Sequence, residues 1–242
     1  MYQHWKKLTD NNIKSKVFDA LENNVNYDKE YILGIPASFL DDKIFNQDSS
    51  FLKEAPFMST LIQNPNHIGC HTLGNSERYY SGTQKIEQEL LDICAVDILK
   101  GESGKYDGYV ASGGTEANLQ AIWTYRNYYQ NVKGAKREEI AILCSSDSHY
   151  SMDKAANLLA LDIYKIDVDS DNKELIDIDV AMLKAQKDGK SYFIVIANMM
   201  TTMFGSVDNV TYLTDELLRL NCNFKLHIDA ALGGFYYPFT HK

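Results

Sequence analysis

The sequence is poor in cysteine and proline, with four of each. It also has no run of apolar residues long enough to cross a bilayer as a helix. Cys70, Cys94, Cys144 and Cys222 are scattered without a CxxC pair, so reduced thiols are expected and no metal site is read. Positive charge is scarce as well, since 24 Lys and Arg face 33 Asp and Glu for a formal net charge of −9. A polyanion would be repelled and no basic stripe offsets that, so no nucleic-acid partner is expected. Behind Met1-Tyr2-Gln3-His4-Trp5-Lys6-Lys7 come Asp and Asn residues where a secretory signal would need an apolar run. A cytoplasmic chain without membrane attachment is the expectation.

What is present is ordinary globular material. With 242 residues, 45% hydrophobic and 24% charged, the chain can bury the core of one large domain, and it carries no repeat or low-complexity tract. Pro36, Pro56 and Pro65, set among Asn- and Asp-rich stretches, mark residues 1–70 as an irregular arm that packs onto something else. Residues 71–242 read as the main domain. Within it, residues 83–98 show Ile86, Leu90, Leu91, Ile93, Cys94 and Ile98 at helical spacing, the pattern of a surface helix set against a core. From about residue 107, β-branched runs alternate with helical patterns. Strands are predicted at 109–111, 140–144, 163–168, 192–197 and 224–228, and helices at 116–129, 151–161, 177–187 and 213–220. That alternation predicts an α/β fold with a mainly parallel sheet and flanking helices, whose ligand edge lies at the strands' carboxyl ends.

Four motifs fall on that edge. Ala111-Ser112-Gly113-Gly114-Thr115-Glu116-Ala117-Asn118 sits between a predicted strand and a predicted helix. The free N–H groups and dipole of a helix N-terminus favour an anion such as phosphate, and glycine lets it approach the backbone, although glycines there also serve plain turns. Ser148-His149-Tyr150-Ser151 places an imidazole before the next helix, where it can cap, lie over a cofactor ring or move a proton. Thr201 and Thr202 follow the next strand, either bonding their own turn or facing a ligand. Finally, His227-Ile228-Asp229-Ala230-Ala231 ends a strand with a carboxylate in apolar company, which needs a cation or several donors.

In this order, and with the Gly82-Thr83-Gln84-Lys85-Ile86-Glu87 segment ahead of them, these motifs resemble the group II pyridoxal-phosphate-dependent amino-acid decarboxylases, histidine decarboxylase-like enzymes among them. The resemblance runs over residues 77–239 and implies the large domain of a fold type I enzyme. It implies that Gly113, Gly114 and Thr115 hold the phosphate of pyridoxal 5'-phosphate and that His149 stacks on its ring. Asp229 would pair with the ring nitrogen, Ala231 would lie under the other face, and Thr201 and Thr202 would stand beside the phenolic oxygen. His149 and Asp229 are the residues given a catalytic part. The implied reaction takes an amino acid to its amine and CO2, with the pyridinium drawing off the electrons left by the departing carboxylate. The family has Gly where this chain has Met200, and Met does not freely adopt positive φ.

The family's lysine lies in a His-Lys pair on a later strand, followed by a small C-terminal domain. Here His241-Lys242 comes 13 residues after Asp229, a stretch that can span about 40 Å. A terminal lysine is poorly anchored for covalent work, so the expectation is an incomplete large domain, inactive alone, whose parent decarboxylates as a homodimer. His67, His71, Tyr79 and Tyr80 are candidates for the substrate side, and the substrate itself is not readable. Other readings stay open: a non-catalytic chain that keeps an interaction surface, or aminotransfer or carbon–carbon lyase chemistry on the same cofactor. A nucleotide site is disfavoured because GxGxxG and a P-loop lysine are missing.

Overall fold

The computed structural model describes residues 7–24 and 80–240. It contains two compact units, with the division between Val110 and Ala111.

In the first unit, α1 (Asp10–Glu22) starts on the side chain of Thr9, which accepts from Asn12 N. It is tied to α2 (Ser81–Asp92) by polar contacts. Asn24 Oδ1 accepts from the N–H groups of Gly82 and Thr83, Ser81 donates to Asn23 O, and Lys16 bonds Glu89 at 2.6 Å. A Cβ on Gly82 would lie 1.8 Å from Ala20 O, so only glycine allows this approach. The contact explains why the compact unit extends past the change in composition near residue 70. It also corrects the expected burial of α2: Gly82, Gln84 and Glu87 are inside, while Ile86 and Leu90 are exposed. The expected helix of residues 83–98 gives way at Ile93–Ile98 to a wider turn with i→i+5 bonding.

The predicted strand at 109–111 does not form. Tyr109 and Val110 are exposed, and Val110 N–H donates to the Glu87 carboxylate rather than to a neighbouring strand.

The second unit holds the remaining elements. They are α3 (Gly114–Lys133), β1 (Ile140–Ser145), α4 (Ser151–Leu159), β2 (Asp162–Val168), β3 (Leu175–Ile176), α5 (Ile178–Lys187), β4 (Tyr192–Asn198), α6 (Val210–Arg219), β5 (Asn223–Asp229) and the short α7 (Tyr237–Thr240). The sheet order is β3-β2-β1-β4-β5. β1 pairs in parallel with β2 and β4, and β4 with β5, while β3 is an antiparallel edge on β2. Helix α3 continues to Lys133 and is closed by Gly134, whose φ of +69° is the left-handed backbone that glycine adopts most easily.

Alternation along the strands sends side chains into two cores. Leu143, Phe193 and Val195 pack with Ile178 and Met182 of α5 and Leu213 and Leu217 of α6. Ile142, Ile194 and Ile196 pack on the other face with Ile122 and Tyr129 of α3 and Met152 of α4. β1 and β4 are therefore covered on both faces, which is why they read as unbroken apolar runs. From β1 the chain moves outward to β2 and β3, then returns through α5 to β4 on β1's other side. That reversal opens a crevice at the carboxyl ends of β1 and β4, the position where open α/β sheets bind ligands.

Candidate functional site

A cavity of about 320 Å³ occupies this crevice, within the usual range for small-molecule sites. Seven of the eight residues read from the sequence line it: Gly114, Thr115, His149, Thr201, Thr202, Asp229 and Ala231. Gly113 is not in its wall. It precedes α3 with extended backbone, and a Cβ there would meet no atom within 4 Å. Gly114 does the close work, since a Cβ on it would lie 3.0 Å from that of Ala231 and force apart the start of α3 and the turn after β5. Among the substrate-side candidates, Tyr80 is buried in the first unit and does not line the cavity, while His67, His71 and Tyr79 lie outside the described residues, as does Lys242, the terminal lysine.

Asp229 closes β5 and is buried. One carboxylate oxygen accepts from Asn118 Nδ2 at 2.9 Å and the other from Ala231 N at 3.1 Å. Among the described residues no Lys or Arg pairs with it, so its charge faces the cavity held by neutral donors alone. His227, two residues earlier on β5, bonds Asn118 Oδ1 through Nε2 at 2.8 Å. Burial pushes the His227 imidazole below its ordinary value, with the Asp229 charge working in the opposite direction.

His149 is fixed at Nδ1, which accepts from Ser151 N at 3.2 Å and lies 2.9 Å from Ser151 Oγ. Its ring leans on Tyr150, with centroids 4.1 Å apart. Ser151 Oγ in turn accepts from Asn118 Nδ2 at 3.0 Å.

The threonine pair divides. Thr201 is buried and its hydroxyl bonds Ser206 Oγ at 2.7 Å, while Thr201 N donates to Ser206 O, so this side chain holds its own loop. Thr202 is exposed in the cavity wall. Met200, between β4 and this pair, lines the cavity with φ of +71°, the left-handed backbone for which glycine is suited.

Sequence reasoning missed Asn118, which lines the cavity, and the buried Ser151 and Asp208. Asn118, Ser151 and Asp208 read as helix and turn residues, and only the fold shows them buried and turned inward. Asp208 accepts from both the backbone N–H and the side chain of Asn198 at 2.7 Å and pins the end of β4. Burial raises its carboxyl above the ordinary range, and the Asn198 bonds oppose that.

The family model for the pyridoxal-dependent decarboxylase conserved domain matches residues 84–242. The chain belongs to the pyridoxal-dependent decarboxylase family. It is 46% identical over 240 residues to tryptophan decarboxylase of Clostridium sporogenes, covering 98% of this chain and 58% of that protein. It is 31% identical to a probable L-tyrosine/L-aspartate decarboxylase of Methanosarcina barkeri, over 85% of this chain and 53% of the relative. The chain thus spans little more than half the length of these relatives. In fold it matches L-methionine decarboxylase from Streptomyces sp. 590, with a TM-score of 0.62 at 17% identity over 96% of this chain and 56% of that one.

The residues of this family member fit the cofactor its family name implies. Pyridoxal phosphate needs a cradle for an anion, a flat partner for its ring and a carboxylate for its ring nitrogen. The close Gly114–Ala231 approach beside the N-terminus of α3, the braced His149 and the cation-free Asp229 supply one of each. Among the described residues no lysine lines the cavity. Among the described residues no helix is long and apolar enough to cross a membrane.

Proposed function

We propose that this cavity holds pyridoxal 5'-phosphate and that a protein containing this chain decarboxylates an L-amino acid to its amine and CO2. The observation that carries this reading is Asp229, a buried carboxylate facing the cavity with no cationic side chain paired to it among the described residues. When bound, the cofactor supplies an electron sink. Asp229 holds a proton on the ring nitrogen, which keeps that sink strong. His149 lies on one ring face and Ala231 under the other. Gly114 and Thr115, with Gly113 just ahead of α3, offer the helix N-terminus to the phosphate. Thr202, whose neighbour Thr201 is engaged with Ser206, stands to the phenolic oxygen.

Tryptophan is the first substrate to test, because the 46%-identical relative is named for it. A cytoplasmic homodimer belongs to the same reading. Exposed Met203, Phe204, Leu232 and Phe235, on the two loops that flank the cavity, support a covered surface there.

The test is to load the protein with pyridoxal phosphate, supply tryptophan and other amino acids, and analyse products. Amine and CO2 are expected, with a loss of at least about a hundredfold in kcat/KM for Asp229→Ala, roughly 2.7 kcal/mol. Oxo acid without CO2 would replace decarboxylation by aminotransfer, and an unaffected Asp229→Ala would remove this residue from the chemistry.

A further inference from the structure

We propose that Asn118 is a positioning residue whose amide sets both the orientation of the Asp229 carboxylate and the tautomer of His149. The inference rests on the cofactor reading above only for its consequence, not for its geometry. Asn118 projects from α3, is 3% exposed, and meets β5 on one side and α4 on the other. Its two amide protons have separate acceptors, Asp229 Oδ2 at 2.9 Å and Ser151 Oγ at 3.0 Å. Its carbonyl oxygen receives His227 Nε2–H at 2.8 Å.

Donor counting fixes every member of this network. The Asp229 carboxylate only accepts, so the Asn118 amide turns an N–H to it and its oxygen to His227, whose Nε2 therefore carries a proton. Burial disfavours a second proton on that ring. Reversed, the amide would set its oxygen against a carboxylate. His149 Nδ1 accepts from Ser151 N–H, so the Ser151 hydroxyl proton is the one that lies between Oγ and Nδ1, and the Asn118 N–H received at Oγ turns that hydroxyl toward the ring. With Nδ1 an acceptor twice over, the neutral ring carries its proton on Nε2. Asp229 is held at both oxygens, by Asn118 and by Ala231 N. One buried amide thus joins the group that would meet the ring nitrogen to the group that would lie on the ring face. No bond in the chain requires a ligand to be present.

The test reads the ring nitrogens by ¹⁵N NMR in histidine-labelled, cofactor-free protein, and then the affinity for pyridoxal phosphate. Wild type is expected to show His149 protonated at Nε2. Asn118→Ala is expected to give a mixture of His149 tautomers and at least a tenfold weaker hold on the cofactor. Ser151→Ala is expected to release His149 in the same way with a smaller loss of affinity, because Asp229 keeps its donor. His227→Gln retains an N–H toward Asn118 Oδ1 and is expected to keep the wild-type His149 tautomer and cofactor affinity. If Asn118→Ala does not fold, Ser151→Ala carries the test, since it removes one hydroxyl. A folded Ser151→Ala or Asn118→Ala with His149 still wholly protonated at Nε2 overturns the proposal. If wild type and variants alike fail to bind pyridoxal phosphate while the tautomer shifts as described, the cofactor reading fails and the positioning role stands.

Discussion

Met200 carries the clearest backbone strain in the site. An L-residue with φ of +71° is held there against its steric preference at a cost of about 1–2 kcal/mol. Met200→Gly relieves that cost while giving back about 0.5–1 kcal/mol of unfolded-state freedom, so a net gain of roughly 0.5–1 kcal/mol is expected in urea unfolding. Met200→Val, branched at Cβ, is expected to lose at least as much. A lower midpoint for the glycine variant would show that the Met side chain contributes more than its backbone costs. Gly114 is the converse case. Gly114→Ala sets a methyl against Ala231 and is expected to weaken pyridoxal phosphate binding by about tenfold, roughly 1.4 kcal/mol. Gly113→Ala, whose methyl meets nothing within 4 Å, is expected to have the smaller effect, and titration of both variants checks the order.

His227 gives the site a pH signature. Its folded-state value lies below the ordinary 6.5, so beneath that pH the unfolded chain takes up a proton that the folded one refuses. Stability from this group is complete above pH 6.5 and declines as pH falls below it. His227→Gln keeps the bond to Asn118 and removes the titration, so the stability gap between the two proteins should change through this window. Parallel pH curves in chemical unfolding would rule out His227 as the source.

At the scale of elements, the parallel strands and their helices were readable because β1 and β4 are buried on both faces and the intervening helices keep an apolar spacing, although α3 runs past its predicted end at 129 to the stop at Gly134. What failed was local chemistry decided by distant partners. Residues 109–111 look like a strand, but Val110 finds its acceptor on the Glu87 side chain. β3 has two residues and follows a turn closed by Asp169 Oδ1, too short a signal for periodicity to detect. In α2 the apolar stripe was legible and its burial was not, because glycine at position 82 sets which face meets α1. Gly82→Ala is expected to disrupt the α1–α2 contact, seen as faster hydrogen exchange in α1, while exchange in β1 and β4 stays unchanged. Equal acceleration everywhere would mean that the contact supports the whole fold. The site was legible in the same uneven way. Motifs at strand ends gave seven wall residues, whereas Asn118 and Ser151 could be found only once the fold brought α3, α4 and β5 together.

At the scale of the whole molecule, the topological reversal between β1 and β4 is what turns scattered motifs into one site. Each strand end delivers a different group: His149 after β1, the Met200–Thr202 loop after β4 and Asp229 at the end of β5, with α3 closing the cradle. The exposed apolar loops around the cavity are expected to be covered by a second copy. Light scattering should report a dimer for the wild type and a monomer for a Met203→Asp/Phe235→Asp double variant, and a monomeric wild type would oppose the shared-site reading.

The most direct measurement is a crystal structure of the protein with pyridoxal 5'-phosphate. The account predicts the ring against His149, its nitrogen within hydrogen-bond distance of Asp229 and its phosphate at the N-terminus of α3. A well-ordered cofactor bound elsewhere, or lying in the cavity with Asp229 turned away from the ring nitrogen, would contradict it.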